Sequence, residues 1–87
     1  MKIKTTKDFV KKQKHLERKH KGLHDRIDQK LRILIVNPKH PSLRIHKLVS
    51  NQYQAWSISV NMQLRILFVY RSYGILLIDI GGHDEVY

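Results

Sequence analysis

The sequence has 87 residues, of which 17 are Lys or Arg and 7 are Asp or Glu, so its net charge is +10. This length suits one modest hydrophobic core, and residues 1–87 are therefore predicted to form a single domain. The lack of cysteine excludes disulfides and thiolate metal sites, and no apolar run approaches the roughly 20 residues of a membrane span. A cytoplasmic protein with no membrane partner is expected.

The positive charge is concentrated in the first third of the chain. Residues 1–32 contain twelve bases and four acids, a net +8, whereas the remaining 55 residues carry a net +2. Such a field attracts polyanions and speeds their association. A solvated helical face or an acidic protein partner would produce the same pattern, so the charge favours nucleic acid without deciding for it.

Two helices are predicted after a candidate edge strand at residues 1–4. Thr5 or Thr6 can cap the first helix, over residues 7–21, and Gly22 ends it. Asn37, which precedes a proline, ends the second helix. Because the link at Gly22 is short, the two helices should form an antiparallel hairpin. The apolar residues of the second helix recur at helical spacing: Leu23, Ile27, Leu31 and Leu34.

The apolar pattern changes to that of β-strands after the loop at residues 38–41. Short links rich in turn-forming residues separate the strands, which favours antiparallel neighbours. The predicted fold is α+β: the helical hairpin packs on one face of a mainly antiparallel four-stranded sheet, with residues 1–4 as a candidate extra edge strand. The four segments are 43–48, 55–60, 64–70 and 75–80.

Polar side chains that alternate out of these strands are expected on the sheet face left open by the helices. Gly81 and Gly82 allow a sharp turn after the last strand and so direct the C-terminal tail. The candidates are Arg44 or His46 on the first predicted strand, Ser57 or Ser59 on the second, Arg65 on the third, and His83 and Tyr87 in the tail.

This set of side chains could cleave RNA without a metal or any other cofactor. The ribose 2′-hydroxyl is an internal nucleophile, so the protein has to supply only a base, an acid and cations around the phosphorus. Histidine is the natural acid and base near neutral pH, and arginine grips phosphate oxygens bidentately. An aromatic ring can stack on an unpaired base.

Each candidate also has a purely structural explanation. His46 could be a half-exposed strand residue, and Arg65 could pair with Asp79 on the neighbouring strand. His83 and Tyr87 could be ordinary residues of a fraying chain end.

Three motifs resemble the RelE/ParE superfamily of bacterial toxin–antitoxin systems, in particular its RelE- and YafQ-like messenger-RNA-cleaving toxins. They are residues 56–61 (WSISVN), 64–68 (LRILF) and 79–87 (DIGGHDEVY). The resemblance covers almost the whole chain and is strongest from Leu43 onward. It implies a sheet packed under two helices, cleavage of mRNA in the ribosomal A site with contacts to ribosomal RNA, and an acidic antitoxin whose extended segment wraps the basic toxin.

The resemblance also implies roles for individual residues. His83 stands where the YafQ-like branch keeps its C-terminal catalytic histidine, and Tyr87 where it keeps an aromatic residue. His46 looks like the first-strand histidine of that branch, whereas Arg65 matches the phosphate-stabilising arginine of RelE- and YoeB-like members and replaces the acid of the YafQ-like ones. Asn61 stands where YafQ-like toxins often carry another histidine.

A ribosome-dependent endoribonuclease is therefore expected, with His46 as general base and Lys47 as its rival. A ParE-type toxin that inhibits gyrase, and a non-catalytic protein that binds only RNA or an antitoxin, are the two alternatives. The expected catalytic residues are His46, Arg65, His83 and Tyr87, and the expected substrate-binding residues are Arg44, Lys47 and Asn61.

Overall fold

The computed structural model of the protein describes residues 1–48, 54–82 and 86. In these residues two helices pack on one face of a single sheet, whose strand order is β1-β5-β4-β3-β2. The predicted α+β fold and the candidate edge strand are confirmed, so the sheet has five strands rather than four. The elements are β1 (Lys2–Thr5), α1 (Lys7–Lys19), α2 (Leu23–Val36), a 3-10 turn (Pro41–Leu43), β2 (His46–Lys47), β3 (Trp56–Ser59), β4 (Leu64–Arg71) and β5 (Gly74–Gly82).

The N-terminal strand is parallel to its neighbour, whereas all the other strand pairs are antiparallel. β1 pairs with the first half of β5, beginning with Lys2 opposite Gly74. Gly74 has a φ of 145°, and a Cβ at this position would lie 2.1 Å from the Lys2 carbonyl oxygen. A residue without a side chain is therefore required where β1 docks.

The helices begin and end close to the predicted positions. The Thr6 hydroxyl accepts a hydrogen bond from the Phe9 N–H at 3.1 Å and so caps α1. Gly22 lies in the left-handed region with a φ of 79° at the start of α2, and α2 ends just before Asn37. No helix in the described part of the chain is long and apolar enough to span a membrane.

The hydrophobic core lies between the helices and the facing side of the sheet. Phe9 of α1 is fully buried there, and alternate residues of the central strands complete the core. The opposite face of the sheet, which we call the open face, carries the intervening residues of β3 and β4. The main core residues are Phe9, Leu23, Ile27, Leu34, Ile58, Ile66, Phe68, Ile75, Leu77 and Ile80.

The strand predicted over residues 43–48 is much shorter in the structure. Pro41 opens a 3-10 turn, because its fixed φ suits a first helical position. Arg44 then adopts a left-handed conformation with a φ of 45°, and only His46 and Lys47 pair as a strand. The prediction that Arg44 belongs to the first strand of this series is therefore wrong.

A polar cluster joins the two helices. His24 Nδ1 lies 2.9 Å from Glu17 Oε2, to which Gln13 Nε2 also donates at 2.8 Å. Burial raises the pKa of Glu17, but the hydrogen bonds from Gln13 and His24 outweigh it and bring the pKa below the ordinary 4.5. The hydrogen bond to Glu17 and the charge of its carboxylate raise the pKa of His24 above 6.5.

This pair should stabilise the fold most between pH 4.5 and pH 6.5. The contribution of Glu17 is present above pH 4.5 and is lost as the pH falls through its lowered folded-state pKa. The contribution of His24 is complete below pH 6.5 and is lost as the pH rises through its raised folded-state pKa. Because His24 is exposed, the effect should be small.

Thermal melting of the wild type and a Glu17→Gln variant across pH 4–9 tests this expectation. The difference in Tm between the wild type and Glu17→Gln should be largest between pH 4.5 and pH 6.5 and should become smaller at lower and at higher pH. His15→Gln, which removes an exposed histidine of α1 outside this cluster, is the control. A Glu17→Gln difference that is constant with pH would contradict the assignment.

Candidate active site

Arg65 is held in place on the open face by three groups from other parts of the fold. Its Nε donates to the hydroxyl of Ser57, a fully buried residue of β3. Its Nη2 donates to the Arg44 carbonyl at 2.7 Å and lies 3.4 Å from His46 Nδ1. The N–H groups on Nη1 have no partner among the described residues. The guanidinium is therefore oriented by the protein and keeps donors for a ligand.

His46 and Lys47 lie on opposite faces of the sheet. His46 pairs with Ser57 and Lys47 pairs with Trp56, and residues that pair across strands share a face. Because successive residues of a strand alternate, His46 lies on the open face beside Arg65, whereas Lys47 lies on the face of Trp56. Both residues are exposed. The backbone register thus favours His46 over Lys47 as the partner of Arg65.

Asp79 does not pair with Arg65. In the register between β4 and β5, Asp79 lies opposite Leu67, whereas Gly81 lies opposite Arg65. Its carboxylate accepts from Lys12 Nζ of α1 at 2.7 Å and from the Ile80 N–H at 2.9 Å. None of the ion pairs in the described part of the chain includes Arg65. The structural explanation for Arg65, as a partner of Asp79, is therefore wrong.

Arg44 and Asn61 both have structural roles near Arg65. Arg44 contacts Arg65 through its backbone carbonyl, and its exposed side chain lines a cleft that Arg65 also lines. The Asn61 side-chain oxygen accepts from the backbone N–H groups of Gln63 and Leu64, each at 2.8 Å, and so closes the turn between β3 and β4. This turn accounts for an asparagine at position 61 without any substrate.

The predicted tail residues, His83 and Tyr87, lie outside the described residues. The strand from which the tail continues is described, and it pairs directly with the site: Gly81 lies opposite Arg65, and Gly82 lies opposite Leu64. The tail therefore begins next to Arg65.

Val86 is the described residue of the tail. It is half-buried and borders a cleft on the sheet. Two of the residues that share this cleft, Leu67 and Val69, alternate with the core residues of β4 and so belong to the same face as Arg65. Val86 therefore lies on the open face.

Three residues near Arg65 were not singled out from the sequence. Arg26 and Lys30 of α2, and Ser42 of the 3-10 turn, line the same cleft as Arg65. The available signal was the spacing of the two bases, since residues four apart share one face of a helix. Which face meets Arg65 could not be read from that spacing.

Comparisons with known proteins show the fold. No family model and no curated protein matches the chain. Solved structures do match: a metal-bound toxin from Helicobacter pylori has a TM-score of 0.85 at 20% identity, covering 100% of this chain and 99% of that one. YafQ from E. coli has a TM-score of 0.80 at 16% identity, covering 99% and 97%. The YoeB–YefM complex from Staphylococcus aureus contains a chain with a TM-score of 0.77 at 18% identity, covering 95% of this chain and 97% of that one. The chain therefore shares its fold with these solved structures.

Proposed function

We propose that this chain, with its RelE/YafQ-like toxin fold, is the toxin of a toxin–antitoxin system and cleaves mRNA on the ribosome. The observation that carries the proposal is the Arg65 guanidinium, held by Ser57 and by the Arg44 carbonyl, beside the His46 imidazole on the open face. A cation that grips phosphate next to a group that can move a proton is what attack by a ribose 2′-hydroxyl requires. The net charge of +10 suits the same polyanionic substrate.

The proposed reaction is an internal displacement at phosphorus. His46 takes the proton of the 2′-hydroxyl, the 2′-oxygen bonds to phosphorus, and the bond from phosphorus to the 5′-oxygen breaks. His83 donates a proton to that leaving oxygen. Arg65, helped by Arg44, offsets the negative charge on the phosphorane oxygens. The products are a 2′,3′-cyclic phosphate and a 5′-hydroxyl end, and no step needs a metal or cofactor.

The contact between His46 and Arg65 bears on how the base would act. Arg65 Nη2 is a donor, so a hydrogen bond at 3.4 Å requires His46 Nδ1 to be the acceptor, with the ring proton on Nε2. When the guanidinium turns to the phosphate, the 2′-hydroxyl can take its place as the donor to Nδ1. The same nitrogen then receives the proton as the 2′-oxygen attacks.

The remaining predicted residues would bind rather than react. Tyr87 stacks on a base next to the cut, a contact worth roughly 1–3 kcal/mol. Asn61 lines the cleft beside Arg65, and its role is to contact the RNA there. Lys47, on the opposite face, is assigned to electrostatic attraction of the RNA, including ribosomal RNA, and not to proton transfer.

An acidic antitoxin is the proposed protein partner. YafQ and YoeB were each solved in complex with a second protein, DinJ and YefM respectively. A chain with a charge of +10 needs a partner of opposite charge if its attraction for RNA is to be neutralised.

The function is tested by inducing the chain in cells and mapping new RNA ends. The wild type should arrest translation and produce 5′-hydroxyl ends within mRNA. A His83→Ala, Tyr87→Ala double variant should lose both effects, because it lacks the proposed acid and the stacking ring. Full arrest by this variant would defeat the assignment of the tail. Arrest without new RNA ends, together with inhibited supercoiling by gyrase, would instead support the ParE-type alternative.

A further inference from the structure

A cleft of ≈ 630 Å³ lies beside the candidate active site, between α2, the 3-10 turn and the turn that joins β3 to β4. We call it the cationic cleft, because Arg26, Lys30, Arg44 and Arg65 line it together with Ser42, and none of its described lining residues carries a carboxylate. Arg65 belongs both to this cleft and to the contact with His46. The cleft and the candidate active site are therefore continuous.

The cations are held together by the protein itself. Lys30 Nζ donates to the Ser42 carbonyl at 3.0 Å, which ties α2 to the 3-10 turn. Burial lowers the pKa of Lys30, and the charges of Arg26 and Arg44 lower it further. Like charges gathered with no acid to neutralise them repel one another, and an anion in the cleft would relieve that repulsion.

Ser42, which lines the cleft, carries an unsatisfied hydroxyl. Among the side chains that the structure describes, its hydroxyl is the buried polar atom that has no hydrogen-bond partner. A buried hydroxyl without a partner is costly, and native structures rarely leave one. A ligand that brings acceptor oxygens into the cleft would neutralise the cations that line it.

We propose that the cationic cleft binds a phosphate of single-stranded RNA, next to the phosphate that is cleaved. Arg26 and Lys30 grip the phosphate from α2, while Arg44 and Arg65 border this subsite on the side of the phosphate that is cleaved. The identity of the ligand as RNA rests on the proposed function, whereas the preference for a phosphate rests on the cleft. The subsite sets the position of the strand, so that the neighbouring phosphate lies at His46.

The test measures binding of a short single-stranded RNA with 2′-O-methyl groups, which the proposed reaction cannot cut. An Arg26→Gln, Lys30→Gln variant should bind it about tenfold more weakly than the wild type, because it cannot make the same hydrogen bonds to a charged phosphate. The slope of log affinity against log salt should also become shallower by about 0.7 for each phosphate that the variant no longer neutralises. The matched control is Lys7→Gln, Lys14→Gln, which removes the same charge from exposed positions of α1 and should bind within about twofold of the wild type.

Several outcomes distinguish a phosphate subsite from two alternatives, which are attraction by overall charge and binding of an acidic protein. Equal losses of affinity in the two double variants would overturn it, because overall charge would then explain the binding. An unchanged affinity for RNA with a lost affinity for a polyglutamate peptide would also overturn it, and would assign the cleft to an acidic protein. Arg26→Gln alone serves as a milder variant if the double variant melts early. If the wild type cuts no mRNA while the cleft variant still loses RNA binding, the subsite stands and the nuclease proposal fails.

Discussion

Arg65→Ala is expected to lower ribosome-dependent cleavage of mRNA by roughly 100- to 1,000-fold, which is the loss typical of removing one donor to a developing oxyanion. The side chain lies on the open face and is half-exposed, so its removal should leave the helix-facing core intact. Arg65→Lys should recover only part of the activity, since lysine keeps the charge but loses the planar fork that Ser57 and the Arg44 carbonyl orient. The measurement is single-turnover cleavage on programmed ribosomes.

Arg71→Ala provides the matched control for this prediction. Arg71 ends the same strand, is exposed, and donates to the Tyr70 carbonyl at 3.1 Å. This variant should cleave at nearly the wild-type rate. If a folded Arg65→Ala variant cleaved as fast as Arg71→Ala, the guanidinium could not be what stabilises the phosphorane.

His46→Ala is expected to slow cleavage by about 100- to 10,000-fold, the usual contribution of a positioned base or acid. Lys47→Ala should slow it only a few-fold, because Lys47 pairs with Trp56 on the other face of the sheet. The same single-turnover assay, with RNA binding measured separately, distinguishes a loss of chemistry from a loss of affinity. A large loss in Lys47→Ala with a small loss in His46→Ala would reverse the assignment of the base.

Most of the architecture could be predicted because local patterns and tertiary packing agree. The spacing of Leu23, Ile27 and Leu34 predicted α2, and all three residues are in the core. The alternation of Trp56, Ile58 and Val60 likewise predicted a strand with one face toward the helices. In these segments the apolar side chains predicted to be buried do face the hydrophobic core, so local pattern and tertiary packing are consistent.

The structure differs from the sequence-based prediction where the conformation of a segment depends on distant parts of the chain. Residues 2–5 have few apolar side chains, and their pairing with β5 depends on space at Gly74. The alternation over residues 43–48 looked like a longer strand, but Pro41 favoured a 3-10 turn and Arg44 took a left-handed conformation. Local pattern cannot reveal such competition.

In the candidate site, too, some features could be predicted from local sequence pattern and others depend on tertiary packing. The alternation of polar and apolar residues was enough to predict that His46 and Arg65 could meet on the open face. In the structure, Arg65 Nη2 lies 3.4 Å from His46 Nδ1. Alternation was not enough to choose the partner of the Asp79 carboxylate, because Lys12 reaches it from α1. The sequence likewise could not predict that basic residues of α2 line the cationic cleft, because this depends on how the helix packs on the sheet.

The most direct test of the central proposal is to add the purified chain to ribosomes carrying a defined mRNA and to determine the chemistry of any new RNA ends. The proposal predicts cuts that depend on the ribosome and leave a 2′,3′-cyclic phosphate and a 5′-hydroxyl, and that disappear in His46→Ala and Arg65→Ala. Intact mRNA, or cuts that persist in both variants, would contradict it.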